Sequence, residues 1–180
     1  MAMAMSTSPN KATVVEINLI CAQELPSYKS SSSTSSIRTY VVAWISPQQK
    51  LTSRVDKAGD KNPTWNDKFI VSIDKDLVFE RPNSTLVLEI YRKRRYRKDT
   101  LIGKVNILLD SLMDKNQFWG SEDICDKVMA FHVRDSSGMP QGILNIGVMN
   151  LDGLLDRGMP SFLGNSSLAI DYRRLMGGNY

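Results

Sequence analysis

Apolar and polar residues alternate along most of this chain with a period of two, the spacing of strands that bury one face. Residues 13–22 set the pattern: Val15, Ile17, Leu19 and Cys21 fall on one face, Glu16 and Asn18 on the other. Residues 39–45 are aromatic and β-branched and stop at Ser46-Pro47, which closes a second strand. A shorter strand is expected over 51–55, followed by turn chemistry from Asp56 to Pro63 around Ala58-Gly59-Asp60. Within 65–73, Phe69, Val71 and Ile73 are assigned to one face and Asp67 to the other. Further strands fit 85–91, 101–109, 127–133 and 142–148. Asp110 would cap a helical turn over 110–114, and Gly138 suits a positive φ in the turn before the last strand.

About eight strands at this spacing, with no long amphipathic helix, predict an all-β fold, an eight-stranded antiparallel β-sandwich. The 180 residues accommodate one such domain with extensions. Residues 1–11 read as a flexible leader, 12–150 as the domain and 151–180 as a mostly irregular tail. Its one expected element is a short helix within 167–176. The serine-rich stretch ending at Ser36 cannot bury apolar area and reads as a long loop. Residues 115–126 read as an irregular connection in which Phe118 and Trp119 pack as satellites.

Charge changes this picture at one place. The run 92–98 (Arg92, Lys93, Arg94, Arg95, Tyr96, Arg97, Lys98) has six cations among seven residues and lies between two predicted strands. The net charge is +4 and the isoelectric point about 9.1, yet without those six cations the chain would carry about −2. Its basicity is therefore local. A dense cationic run is either a solvated loop or the face that meets an anionic partner, and its place between strands favours a displayed loop. A second group, Lys50, Arg54, Lys57, Lys61 and Lys68, has the spacing of ordinary solvated strands and is a secondary candidate.

Several chemistries are disfavoured. Only Cys21 and Cys125 occur, without a CxxC pair, and His132 is the single histidine, so neither a disulfide framework nor a zinc site is supported. His132 has no serine or cysteine nucleophile motif around it, Asp56, Asp60, Asp67, Asp74 and Asp76 read as solvated turn or strand residues, and the glycines form no phosphate-cradling motif. An enzyme is not expected. The first residues lack a signal peptide's basic and apolar regions, no apolar run approaches the ~20 residues of a membrane span, and neither end carries a lipidation motif. The expectation is a cytoplasmic protein that meets the plasma membrane or other anionic membranes peripherally. The run 92–98 also has the form of a nuclear import signal, which would add a nuclear pool.

Four pieces, taken in order, resemble the C2 domain family. They are Ala22-Gln23-Glu24-Leu25-Pro26, Tyr40-Val41, Asn62-Pro63-Thr64-Trp65-Asn66 with Phe69, and Leu101-Ile102-Gly103-Lys104-Val105. The Asn-Pro-x-aromatic-Asn piece is the most specific. Gly142-Ile143-Leu144-Asn145-Ile146 as the last strand resembles the circularly permuted, phospholipase-type topology. The stretch 133–142 with Asp171-Tyr172-Arg173 resembles small plant C2 proteins, among them cold- and stress-responsive members and members that associate with copines in defence signalling.

The resemblance implies calcium-dependent membrane docking only where about five aspartates sit on the first and third loops. Calcium takes six to eight oxygen ligands, mostly from carboxylates. Here those positions fall at Lys29, Arg38, Arg92, Arg94 and Thr100, with Asp99 displaced by one. No cofactor is expected. Fixed cations instead stand where bound ions would supply charge, and each close to an anionic leaflet is worth roughly 1 kcal/mol. The candidate membrane-binding set is Lys29, Arg38, Arg92, Lys93, Arg94, Arg95, Tyr96, Arg97 and Lys98, with Tyr28 and Tyr96 either at the interface or packed on their own loop. The resemblance also implies a phosphoinositide-binding basic face near the third and fourth strands, to which Lys50, Arg54, Lys57, Lys61 and Lys68 would contribute, and the expected partners are anionic phospholipids and a protein, copine-like or belonging to immune or stress signalling. A pure protein module whose loop docks an acidic partner is the alternative; nucleic acid ranks lower, since one loop offers little platform for stacking.

Overall fold

The structure is a computed structural model that describes residues 12–27, 36–74, 84–112, 126–151 and 169–171. Its strands are β1 (Ala12–Gln23), β2 (Thr39–Trp44), β3 (Leu51–Thr52), β4 (Thr64–Asp74), β5 (Thr85–Arg92), β6 (Thr100–Leu108), β7 (Asp126–Arg134), β8 (Pro140–Asn150) and β9 (Ala169–Asp171), with one helical turn, α1 (Leu109–Leu112), after β6. All pairings are antiparallel, in the order β3-β2-β5-β6-β7-β8-β1-β4-β9. Between β6 and β7 that order rests on one residue pair, Lys104 and Arg134. There the sheet folds over, placing β3-β2-β5-β6 against β7-β8-β1-β4. The last long strand, β8, lies beside the first, as the permuted topology requires.

Alternation builds the core. Val15, Ile17 and Leu19 of β1, Phe69, Val71 and Ile73 of β4, and Leu144, Ile146 and Val148 of β8 face Val41 and Ala43 of β2, Leu86, Leu88 and Ile90 of β5, and Ile102, Val105 and Ile107 of β6. Fully burying each such aliphatic side chain contributes about 1.5–3 kcal/mol.

Of the three register shifts among the described residues, those on β1 and β6 redirect side chains toward or away from the core. Leu19 pairs with Ile146 and Ala22 with Leu144, so β1 spends one residue more than β8 over this span. Ala22 therefore continues the buried face, and Cys21, expected there, is only half-buried and takes a contact from Asn145 Nδ2 at 3.5 Å. On β6 the extra residue lies between Leu101, opposite Tyr91, and Gly103, opposite Ile90. A Cβ on Gly103 would stand 2.7 Å from Val133 Cγ1 and 2.8 Å from the Arg134 carbonyl oxygen. Glycine is thus required where β6 turns onto β7.

Four further expectations are corrected. Asp67 lies on the same side as Phe69, 3% exposed, because both are odd-numbered positions of one strand. The third strand ends at Thr52 rather than residue 55, since the Ser53 side chain takes over the bonding: its Oγ accepts from Val41 N at 2.8 Å and donates to the Arg54 carbonyl. The helical turn starts at Leu109, one residue early, with Asp110 inside its first turn instead of before it. Residues 169–171 form an edge strand on β4, with Ile170 opposite Ile70, where a short helix is expected. Phe118, Trp119 and Cys125 lie outside the described residues.

Candidate functional site

Four connections gather at one end of the sandwich: β1 to β2, β3 to β4, β5 to β6 and β7 to β8. The residues of the Asn-Pro-x-Trp-Asn piece tie the first two together. Asn62 Oδ1 accepts from Glu24 N at 3.0 Å, the Pro63 carbonyl accepts from Ala22 N at 2.9 Å, and the Lys61 carbonyl accepts from Leu25 N at 3.0 Å. Trp65, 4% exposed, closes the core beneath them and donates Nε1 to the Thr39 carbonyl at 3.2 Å. Asp56 and Asp60 work inward: Asp56 Oδ1 accepts from Gly59 N at 2.7 Å, and Asp60 Oδ1 from Ile37 N at 3.2 Å. These carboxylates organise the loops, where the sequence suggested solvation.

The β5–β6 loop is fastened at its base. Lys93 N donates to the Arg38 carbonyl at 2.8 Å, joining the loop to the segment entering β2. Asp99 accepts from Arg94 N at 2.8 Å, from the Tyr40 hydroxyl at 2.9 Å and from Lys93 Nζ at 3.0 Å. Tyr40 stacks on Tyr91, its partner across the β2–β5 ladder, with ring centroids 5.5 Å apart. Lys93 Nζ also stands 5.5 Å from the centre of the Tyr40 ring, within cation–π range.

Protonation follows from these contacts. The Arg94 amide, with help from Lys93 and Tyr40, holds the Asp99 carboxyl below its ordinary range against a weaker opposing push from desolvation. Burial first, then the Asp99 hydrogen bond and charge, push the Tyr40 hydroxyl up to about 12. The displaced aspartate of the sequence is thus a clasp at the root of the cationic run.

Beyond the clasp the run points outward. Arg95, Arg97 and Lys98 are exposed, and Tyr96 at the tip is 86% exposed with the Arg95 guanidinium 5.3 Å from its ring centre. Arg38, Arg92 and Arg94 are half-exposed nearer the base. Tyr96 is therefore displayed, in place of packing on its own stem. Lys29 and Tyr28 lie outside the described residues. Between residues 36–38 on one side and 92–97 on the other opens a cleft of about 560 Å³.

The β7–β8 turn adds a second apolar tip that the sequence reading missed. Asp135 accepts from Ser137 N at 2.8 Å, Met139 N at 3.0 Å and Gln141 Nε2 at 2.7 Å, and these bonds, with the Ser137 hydroxyl foremost, lower its carboxyl pKa. Gly138 has the expected positive φ, 86°. So held, Met139 is 61% exposed. The Asp135-x-Ser137 spacing was the available signal, a side chain able to bond its own turn.

The secondary basic group does not converge in the same way. Arg54 donates Nη2 to the Asn66 carbonyl at 2.9 Å, and its Nε stands 3.8 Å from Asp67. Lys68, on the outer face of β4, meets Glu16 at 2.7 Å. Lys50 stands 5.2 Å from the Trp44 ring centre, and Lys57 and Lys61 are exposed in the β3–β4 loop. Among the described residues no three His, Cys, Asp or Glu side chains converge as a metal-binding group, and no helix is long and apolar enough to cross a membrane. His132 is exposed on β7.

An antiparallel sandwich that fixes its core with alternating strands and devotes one end to fastened, displayed loops has the build of a binding module. The C2 domain family model matches residues 13–123, more than half of the chain, and the chain belongs to that family of lipid-, membrane- and protein-interaction modules. The match ends before β7 and β8, which complete the sandwich. Among solved structures, the C2A domain of plant extended synaptotagmin 1 is similar with a TM-score of 0.56 at 15% identity, over 79% of this chain and 95% of that one. A C2 domain-containing protein from an elicitor-responsive gene gives 0.53 at 19% identity, over 81% and 93%. Human GIVD cytosolic phospholipase A2 gives 0.57 at 16% identity, over 79% of this chain and 17% of the enzyme. At these identities the likeness is one of fold. A comparison with curated protein sequences returned no match.

Proposed function

We propose that this chain is a non-catalytic adaptor that binds anionic phospholipid membranes without calcium through its β5–β6 loop and brings a protein partner to them. The observation that carries the proposal is the clasp. Asp99, the carboxylate nearest to a calcium-ligand position, is committed to Arg94 N, Lys93 and Tyr40, while Arg95, Arg97 and Lys98 face outward. Fixed charge then does what a bound ion does elsewhere, with Tyr96 and Met139 at the same end as apolar tips for the interface. A setting in plant stress or defence signalling belongs to the same reading and rests on the resemblance of residues 133–142 and Asp171-Tyr172-Arg173 to small plant C2 proteins. Cytoplasmic location with peripheral membrane attachment follows from the same reading.

Co-sedimentation with vesicles containing or lacking anionic lipid, each in calcium and in EDTA, tests it. Binding that needs anionic lipid, ignores EDTA and disappears when Arg92, Arg94, Arg95 and Arg97 become Ala is the expected result. Binding abolished by EDTA contradicts the calcium-independent mode. Absence of binding to every vesicle moves the loop's role to an acidic protein surface.

A further inference from the structure

Ser36 ends the run Ser30-Ser31-Ser32-Ser33-Thr34-Ser35-Ser36. It is exposed, and it lines the same cleft as Arg38, Arg92, Arg94, Arg95 and Arg97. Its Oγ donates to the Lys57 carbonyl at 2.6 Å, a bond to the β3–β4 loop, which takes no part in that lining. The residues that follow are pinned. Ile37 is 4% exposed and donates its amide to Asp60 Oδ1 at 3.2 Å, the Arg38 carbonyl accepts from Lys93 N at 2.8 Å, and Thr39 N donates to the Asp56 carbonyl at 3.0 Å. A group added to Ser36 is therefore held at the cleft rim instead of being carried away on a free loop.

A phosphoryl group on this hydroxyl would reverse its bonding. An ionised phosphomonoester has only acceptor oxygens, so it can no longer donate to the Lys57 carbonyl and is repelled by it. Guanidinium groups are its matching donors, two N–H groups to two oxygens. Arg94 Nε is shielded from solvent and has no hydrogen-bond acceptor among the described residues, a state that natural structures seldom leave. Asp99 is no rival for it, being engaged by Arg94 N, Lys93 Nζ and the Tyr40 hydroxyl. Arg38, two positions after the acceptor, gives Ser36 the charge pattern that an acidic kinase substrate groove selects.

We infer that Ser36 is a phosphorylation site whose phosphate folds onto Arg94, beside Arg38 and Arg97, and withdraws the charge of the loop from outside partners. A protein kinase transfers the γ-phosphoryl group of ATP to Ser36 Oγ. The new O–P bond forms as the bond to the bridging oxygen of ADP breaks, and the hydroxyl proton passes to the kinase's base. The modified chain then carries its own occluding anion. As a switch on membrane attachment this rests on the proposed function; the docking of the phosphate does not.

The test compares the full chain carrying phosphoserine at Ser36 with one carrying it at Ser136, an exposed residue of the β7–β8 turn. Ser136 places the same charge at the same end outside the cleft, and nearby Arg134 is engaged by the Gly138 carbonyl at 2.9 Å. Titration followed by phosphorus NMR reads docking. The second ionisation of the Ser36 phosphate should fall below its ordinary value of about 6 and below that of the Ser136 phosphate, and Arg94→Gln should raise it again. Arg97→Gln, at an exposed position, gives part of the same return and serves if Arg94→Gln fails to fold. Equal titration at the two serines overturns the docked phosphate. Co-sedimentation with phosphatidylserine vesicles in EDTA reads the switch: phosphate on Ser36 should weaken binding by about thirtyfold, and on Ser136 by less. Equal weakening overturns the switch. If the unmodified chain binds no vesicle, the membrane reading falls, and the NMR result alone upholds or overturns the docked phosphate. Phosphopeptide mapping of the chain from the cells that make it should find phosphate on Ser36; phosphate confined to other residues overturns the modification site.

Discussion

Arg54 and Lys68 on β4's side of the molecule, and Arg95 and Lys98 on the β5–β6 loop, carry the same charge and send it in different directions. Arg54 turns onto the Asn66 carbonyl and Asp67, and Lys68 meets a buried glutamate, Glu16, at 2.7 Å. On the loop, the nearby carboxylate, Asp99, takes Lys93 Nζ, the Arg94 amide and the Tyr40 hydroxyl. The remaining cations stay exposed around Tyr96. A count of basic residues does not distinguish these regions; the location of their acceptors does.

Substitutions sharpen the contrast in descending order. Replacing Arg92, Arg94, Arg95 and Arg97 by Ala removes on the order of 4 kcal/mol of attraction to an anionic leaflet, a loss of about a thousandfold in vesicle affinity. Replacing Lys50, Lys57 and Lys61 by Ala should cost less than tenfold in the same assay, and parity between the two variants would erase the distinction. Next comes Asp99→Asn. It raises the net charge, so charge counting alone predicts tighter binding, but it also weakens the clasp. The expected outcome is a fold destabilised by about 2 kcal/mol in urea and faster hydrogen exchange at the Arg94 amide.

The effect of pH has a definite sign. Because the folded Asp99 carboxyl lies below its ordinary range, its stabilisation is complete above that range and is lost as pH falls through the lowered value. Asp99→Asn should remove that acid limb. Tyr40 acts at the other end. Its folded pKa of about 12 exceeds the ordinary value of 10.0, so the unfolded chain releases its proton first and stability falls as pH rises between the two. Ultraviolet titration of the native protein should show a late tyrosine ionisation above the ordinary value of 10.0, and Tyr40→Phe should delete that late step.

The strands were legible because each long one has an uninterrupted period of two, as in Phe69, Val71 and Ile73. The bulge on β1 was not, since an extra residue alters no local composition and only the register against β8 reveals that Ala22 replaces Cys21 in the core. The candidate site was legible as charge. Its fastening was hidden, because Tyr40 and Asp99 are 59 residues apart and only the β2–β5–β6 pairing brings them together. For the same reason the five residues from Lys50 to Lys68 looked like one face, although Arg54 and Lys68 have acceptors supplied by the neighbouring structure.

The most direct measurement is hydrogen exchange of the full chain with and without anionic vesicles, in EDTA, because it reads both basic regions at once. The account predicts vesicle-dependent protection over residues 93–99 and around Met139, with residues 50–54 and 66–70 unchanged. Protection confined to 50–61, or protection of the loop only when calcium is restored, would contradict it.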